Sequence, residues 1–185
     1  MNKNKIVIWQ ISAILFSIVI GTILHFTYKW SNQNVFIAAF SAINESIWEH
    51  LKLVFYPMLL FAIIEGFFIY SKSNNYIEAK TIALFFSILF IIISFYTYTG
   101  VIGKSIFYID ILIFILSIIL GEYICYKFFI TTDKSTKTSK ILSLLLIVVL
   151  LVCFIVFSYN TPKINIFKHP VAEIYRRKII YETKN

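Results

Sequence analysis

Five long apolar runs restrict what this chain can fold into more than any other feature of it. Residues near 6 to 26, 51 to 70, 81 to 99, 106 to 126 and 141 to 159 each approach the roughly 20 residues needed to cross about 30 Å of hydrocarbon at about 1.5 Å per residue. The composition agrees, with 59% hydrophobic and only 14% charged residues among 185, a balance that a soluble domain of this length could not hide in one core. The fold class expected is therefore all-α: a polytopic integral membrane protein with a five-helix transmembrane bundle. The sequence predicts one transmembrane domain over 1–159, with helices near 6–26, 46–70, 81–99, 106–128 and 141–159, and an extramembrane tail over 160–185.

The first run follows Lys3 and Lys5 as a signal peptide would, but it is long and lacks a small-residue cleavage pattern, so it is expected to remain as an anchor. Val35 to Ile43 is apolar yet too short to span, which predicts an interfacial or re-entrant segment before the second helix. That helix has a start signal, Ser46 followed by Glu49, matching a capping box. Pro57 lies well inside it and is expected to bend it. Cys125 and Cys153 fall inside apolar runs and read as packing residues rather than a disulfide.

The formal net charge of +8 is gathered between and after the apolar runs. Basic residues interrupted by membrane-length segments suit anchoring, with membrane lipid as the partner, and argue against nucleic acid. Lys3, Lys5, Lys72, Lys80, Lys127, Lys134, Lys137 and Lys140 fall on the N-terminal side of this threading, against Lys29, Lys52 and Lys104 in the opposite short loops. The positive-inside bias then places the N-terminus in the cytoplasm and, after five crossings of the cell membrane, the C-terminus outside. Trp9 at the inner edge, and Trp30 and Trp48 at the outer, fit an aromatic belt.

The same threading gathers the polar residues. His25 falls near the outer end of the first helix, and Asn44, Glu45, Glu49 and His50 at the outer start of the second. Asp110 enters from that side on the fourth helix, and His169 of the tail lands there too. Imidazoles and carboxylates are zinc-type ligands, so His25, His50, Glu45 and Glu49 are the candidates for a divalent metal. There is no H-E-x-x-H, so such a site must be assembled across helices. Its alternative is an interfacial network in which Lys52 and the helix N-terminus balance Glu45 and Glu49. Gln10, Ser17, Gly21 and His25 form one small and polar stripe on the first helix, and Ser87, Ser117 and Gly121 read as close-packing positions.

A second acidic set, Glu65 and Glu122, lies towards the inner side. An ionised acid at a helix centre costs about 2.5 to 3.5 kcal/mol on insertion scales, so Glu65 must be partnered, hydrated or protonated. The pair is a candidate proton relay; alternatively Glu122 snorkels to the inner surface.

At Phe40-Ser41-Ala42-Ile43-Asn44-Glu45-Ser46-Ile47-Trp48-Glu49-His50-Leu51-Lys52-Leu53 the chain resembles an uncharacterised family of small bacterial multi-pass membrane proteins, a domain of unknown function. The likeness runs from Leu24-His25-Phe26 through Tyr98-Thr99-Gly100 to Thr161-Pro162. It implies a membrane fold and brings no activity or catalytic residues with it.

Three functions fit these residues. The leading one is an outer-leaflet polar site that binds or transports a cation or small polar ligand, which requires a polar path linking the two acidic sets. The second is a metal-dependent membrane-embedded hydrolase in which His25, His50 and one carboxylate hold the metal while another carboxylate is general base. The third is a structural or assembly factor of the membrane. Whether the chain is an enzyme is left open by the sequence.

Overall fold

In the computed structural model, which describes residues 3–131 and 135–168, the chain is all-helical. Five long helices, α1 (Lys3–Trp30), α3 (Ile47–Ile69), α4 (Tyr76–Ile102), α5 (Phe107–Thr131) and α6 (Lys137–Tyr159), are each long and apolar enough to cross a membrane. A one-turn helix, α2 (Val35–Ala38), sits between α1 and α3. Helices keep every backbone polar group of a spanning segment satisfied within itself, which is why apolar runs of this length adopt them.

Most helices extend beyond the apolar runs, because capping and turn residues rather than hydropathy fix their ends. Ser46 accepts a hydrogen bond from Glu49 N at 3.4 Å and so caps α3. Thr136 and Ser139 form a reciprocal capping box that starts α6 at Lys137. The left-handed backbone of Gly103 (φ 81°) ends α4.

Two seams organise the bundle, α1 against α3 and α4 against α5. In the first, Pro57 deprives the Leu53 carbonyl of its helical donor, and α3 nevertheless runs unbroken from Ile47 to Ile69. That carbonyl is the atom a Cβ on Gly21 would strike, and the same Cβ would lie 2.8 Å from the Phe114 ring. Glycine there lets α1 approach the exposed peptide oxygen. In the second seam Ser87 Oγ donates to Ser117 O at 2.8 Å, and a Cβ on Gly121 would collide with that same hydroxyl. The expected close-packing positions are thus where two helices meet at backbone distance.

The α3 and α4 sides supply most of the core, including Leu51, Val54, Phe55, Met58, Ala83 and Leu84, closed by Ile118 and Phe154. By contrast α6 packs mainly on α4 and leaves Leu145, Val148, Val149, Val152 and Val156 on its outer face, a surface suited to acyl chains. Cys125 is buried and Cys153 half-buried, both as free thiols. Trp48 also has a packing role. Its ring packs between Phe154, Phe157 and Phe167, so it joins α3, α6 and the first turn of the tail.

Candidate metal centre

The segment between α1 and α3 folds back on the bundle and positions the site. Ser41 Oγ donates to Leu24 O and accepts from Tyr28 N at 3.0 Å, pinning the segment to the last turns of α1. Tyr56 Oη donates to Ala39 O at 2.9 Å, pinning it to α3. Asn44 Oδ1 then accepts from Ser46 N at 2.8 Å, an Asx turn that delivers Ser46 to the N-cap of α3 and leaves Glu45 just outside the helix. One lone pair of Asn44 Oδ1 serves this turn.

Glu45 therefore lies beside His25 from α1 and His50 from the first turn of α3. Its carboxylate is 3.3 Å from His50 Nε2 and 4.0 Å from His25 Nε2. The two imidazole rings are 5.4 Å apart between centroids. One ligand atom from each of the three residues falls within 4.8 Å of the other two. The edge of a tetrahedron with metal bonds near 2.0–2.1 Å is about 3.3 Å, so the His50–Glu45 separation is already that of two zinc ligands. The group remains reachable, with Glu45 47%, His50 36% and His25 25% exposed.

The chemistry at His50 follows from its second nitrogen. Nδ1 is 2.9 Å from the Ser46 carbonyl, which only accepts, so Nδ1 carries hydrogen. In the neutral ring Nε2 is then a lone pair, and it faces a carboxylate oxygen. Two lone pairs at this distance repel unless a positive species sits between them, either a proton on Nε2 or a metal ion. The backbone carbonyl on Nδ1 is the usual device for fixing the tautomer of a metal-binding histidine. The hydrogen bond from His50 holds the Glu45 carboxyl at about 2, against partial burial, which pushes it the other way. Glu45 is thus anionic across the physiological range.

The other carboxylates expected here are not among the three converging ligands, although Asp110 lies near enough to act electrostatically on His50. Glu49 is buried and turned away: its Oε2 is 2.6 Å from Lys52 Nζ and accepts from Ile43 N at 2.9 Å. The capping box is accordingly half formed, because the Glu49 side chain serves Ile43 while Ser46 N goes to Asn44. Asp110 accepts from Tyr98 Oη and, at 2.6 Å, from Ser105 Oγ, so it braces the α4–α5 turn. His169 lies outside the described residues. Lys52, counted above among loop charges, is fully buried; its three protons go to Glu49, to Ala38 O at 2.8 Å and to Ser158 Oγ at 2.9 Å, tying α2, α3 and α6 together.

The second acidic set does converge, around a residue the sequence reading had placed in a loop. Lys80 Nζ lies 2.6 Å from Glu65 and 2.8 Å from Glu122, and donates to Gln10 Oε1 at 3.3 Å. Glu65 is fully buried and Glu122 very nearly so, which excludes the snorkelling alternative. The available signal was that Lys80 and Glu122 thread to similar depth. Lys80 breaks the apolar run, so hydropathy alone places it on the flank.

Between the two sets the interior is mostly apolar, the Ser87 and Ser117 hydroxyls aside. Ala13 and Gly21 on α1, Val54, Met58 and Phe61 on α3 and Ile113 and Ile118 on α5 fill the interval. Ser17 Oγ is buried there with no hydrogen-bond partner. Packed hydrocarbon makes up most of this level among the described residues.

No curated protein and no solved structure matches the chain. A protein-family model, described as a family of unknown function (DUF6512), matches residues 1–176. The resemblance drawn from the sequence therefore holds, and this chain belongs to that family of unknown function.

Proposed function

We propose that this chain is a multi-pass protein of the cell membrane that binds a divalent cation of the zinc class through His25, Glu45 and His50. The observation that carries this reading is the convergence of two imidazoles and a carboxylate, from α1, the preceding loop and α3, within 4.8 Å. Two neutral imidazoles and one carboxylate leave a site with charge −1, suited to a 2+ ion, and three protein ligands leave a fourth position open. The positive-inside bias supports a cytoplasmic N-terminus. Lys52 and Lys80, being buried, leave that comparison, and the excess stays on the N-terminal side. The centre then faces the extracytoplasmic side, where α1 ends and α3 begins.

Binding is favoured over the hydrolase reading by the fate of the neighbouring carboxylates. A hydrolase needs a base beside the metal-bound water, and Glu49 and Asp110, the candidates for that role, are engaged by Lys52 and by Tyr98 with Ser105. Binding is favoured over transport by the packed interval between the acidic sets.

Equilibrium dialysis of purified protein against zinc tests the reading. One saturable equivalent per chain is expected, reduced at least about tenfold in affinity by His50→Ala or His25→Ala, with the helical content of each variant unchanged. Equal binding by wild type and both variants would reject it, and absence of binding in all of them would favour an assembly role.

A further inference from the structure

We propose that Glu65, Glu122 and Lys80 form an internal proton site, in which the two carboxylates share one exchangeable proton. This inference is independent of the metal centre and stands on a count of charges in a closed space. Two acids face one ammonium: Lys80 Nζ contacts Oε2 of Glu65 at 2.6 Å and Oε2 of Glu122 at 2.8 Å. All three side chains are at most 5% exposed. Among the described residues, the other groups facing them are the Gln10 amide from α1, the Tyr76 hydroxyl from α4 and the Cys125 thiol from α5. None of these supplies a positive charge.

With both acids ionised the cluster carries one uncompensated negative charge away from water, the situation buried charges avoid by neutralisation. A second metal cation is a poor solution, because it would lie against the Lys80 ammonium. Lys80 cannot do more, since its three donors already go to Glu65, Glu122 and Gln10. A proton is the remaining positive species small enough to fit between acids held on one ammonium. It adds to a carboxylate oxygen as an O–H bond, taking the cluster from net −1 to zero, and leaves as H+ with no other bond made or broken.

Two carboxyl groups coupled through one lysine titrate as a unit, so the proton belongs to the pair. Gln10 Nε2 donates to one Glu65 oxygen at 3.3 Å, while the Tyr76 hydroxyl, whose proton goes to Ala62 O, lies 3.3 Å from the other. The cluster lies at the end of the bundle nearest the N-terminus of α1. Exchange with the aqueous phase on that side is the shortest route available to the proton.

Infrared difference spectroscopy of the purified full chain in lipid nanodiscs tests this. Wild type at neutral pH is expected to show the C=O band of about one protonated carboxylic acid per chain, shifting on deuteration. Glu65→Gln and Glu122→Gln should each abolish it, because either leaves one carboxylate matched to Lys80. Absence of the band in wild type would overturn the proposal without any variant. So would its persistence in both variants, which would assign the proton to another acid.

Discussion

The two ends of this bundle are built from similar groups and arrive at opposite arrangements. Along α1, fifteen residues separate Gln10 from His25, and along α3 the same number separates His50 from Glu65, so both helices set the clusters about 22 Å apart at about 1.5 Å per residue. At one end Glu65 and Glu122 are locked onto Lys80 in a fully buried knot. At the other, Glu45 is half exposed and faces the His25 and His50 imidazoles, with the Lys29 charge acting on it more weakly. The difference lies in the counter-ion. An ammonium is a permanent charge that saturates the carboxylates it meets, as Lys52 does for Glu49. An imidazole with its other nitrogen committed to a carbonyl offers a lone pair that either a proton or a metal can take. Lysine thus closes one cluster, and histidine leaves at the other the lone pairs on which the proposed cation site rests.

The largest expected effect comes from attacking the closed end. Lys80→Met leaves two buried carboxylates without their ammonium and should cost about 3–5 kcal/mol, measured by reversible unfolding in mixed micelles, or prevent accumulation of folded protein. Glu45→Gln at the open end should change stability by no more than about 0.5 kcal/mol in the same assay. Equal costs would erase the contrast between the ends.

Next in size is the seam joining them. Gly121→Leu drives a side chain into Ser87 and the Ala83 carbonyl and should lose about 1–3 kcal/mol, while zinc binding at the distant open end persists in whatever fraction folds. Ser46→Ala removes the N-cap of α3 and should cost about 1 kcal/mol. Because Ser46 sits between Glu45 and the first turn carrying His50, it should also weaken zinc binding, whereas Gly121→Leu should not.

The smallest effect concerns pH. The folded Glu45 carboxyl is held at about 2, below its ordinary value of 4.5. Its contribution to the metal-free protein is therefore complete above about 4.5 and is lost as pH falls through 2. The stability difference between wild type and Glu45→Gln should shrink as pH falls through that window, and should also fall on the alkaline side once His50 Nε2 loses the proton it donates to Glu45. Partial exposure keeps the amplitude small.

Much of this was legible in the residues. Hydropathy located all five long helices because lipid-facing segments must be apolar along their length, and α6, which buries the least, read most plainly. Ser46 announced the start of α3 because an N-cap is a local signal. His25 and His50 were brought together by threading alone. What stayed hidden depended on which cation each acid would find. Glu49 belonged to the metal candidates until Lys52, three residues on, proved to be buried beside it. Lys80 looked like a loop charge because helix ends are set by capping, not by the apolar run, and α4 begins four residues earlier at Tyr76. Asp110 was assigned by depth alone, and only the geometry of the α4–α5 turn reveals Tyr98 and Ser105 as its partners.

X-ray absorption at the zinc edge, on protein loaded with one equivalent and washed free of excess, tests the central claim most directly. Two imidazole scatterers and an oxygen at about 2.0–2.2 Å are expected, with one imidazole lost in His50→Ala. A shell of oxygen alone, or a spectrum unchanged in that variant, would contradict a metal centre at His25, Glu45 and His50.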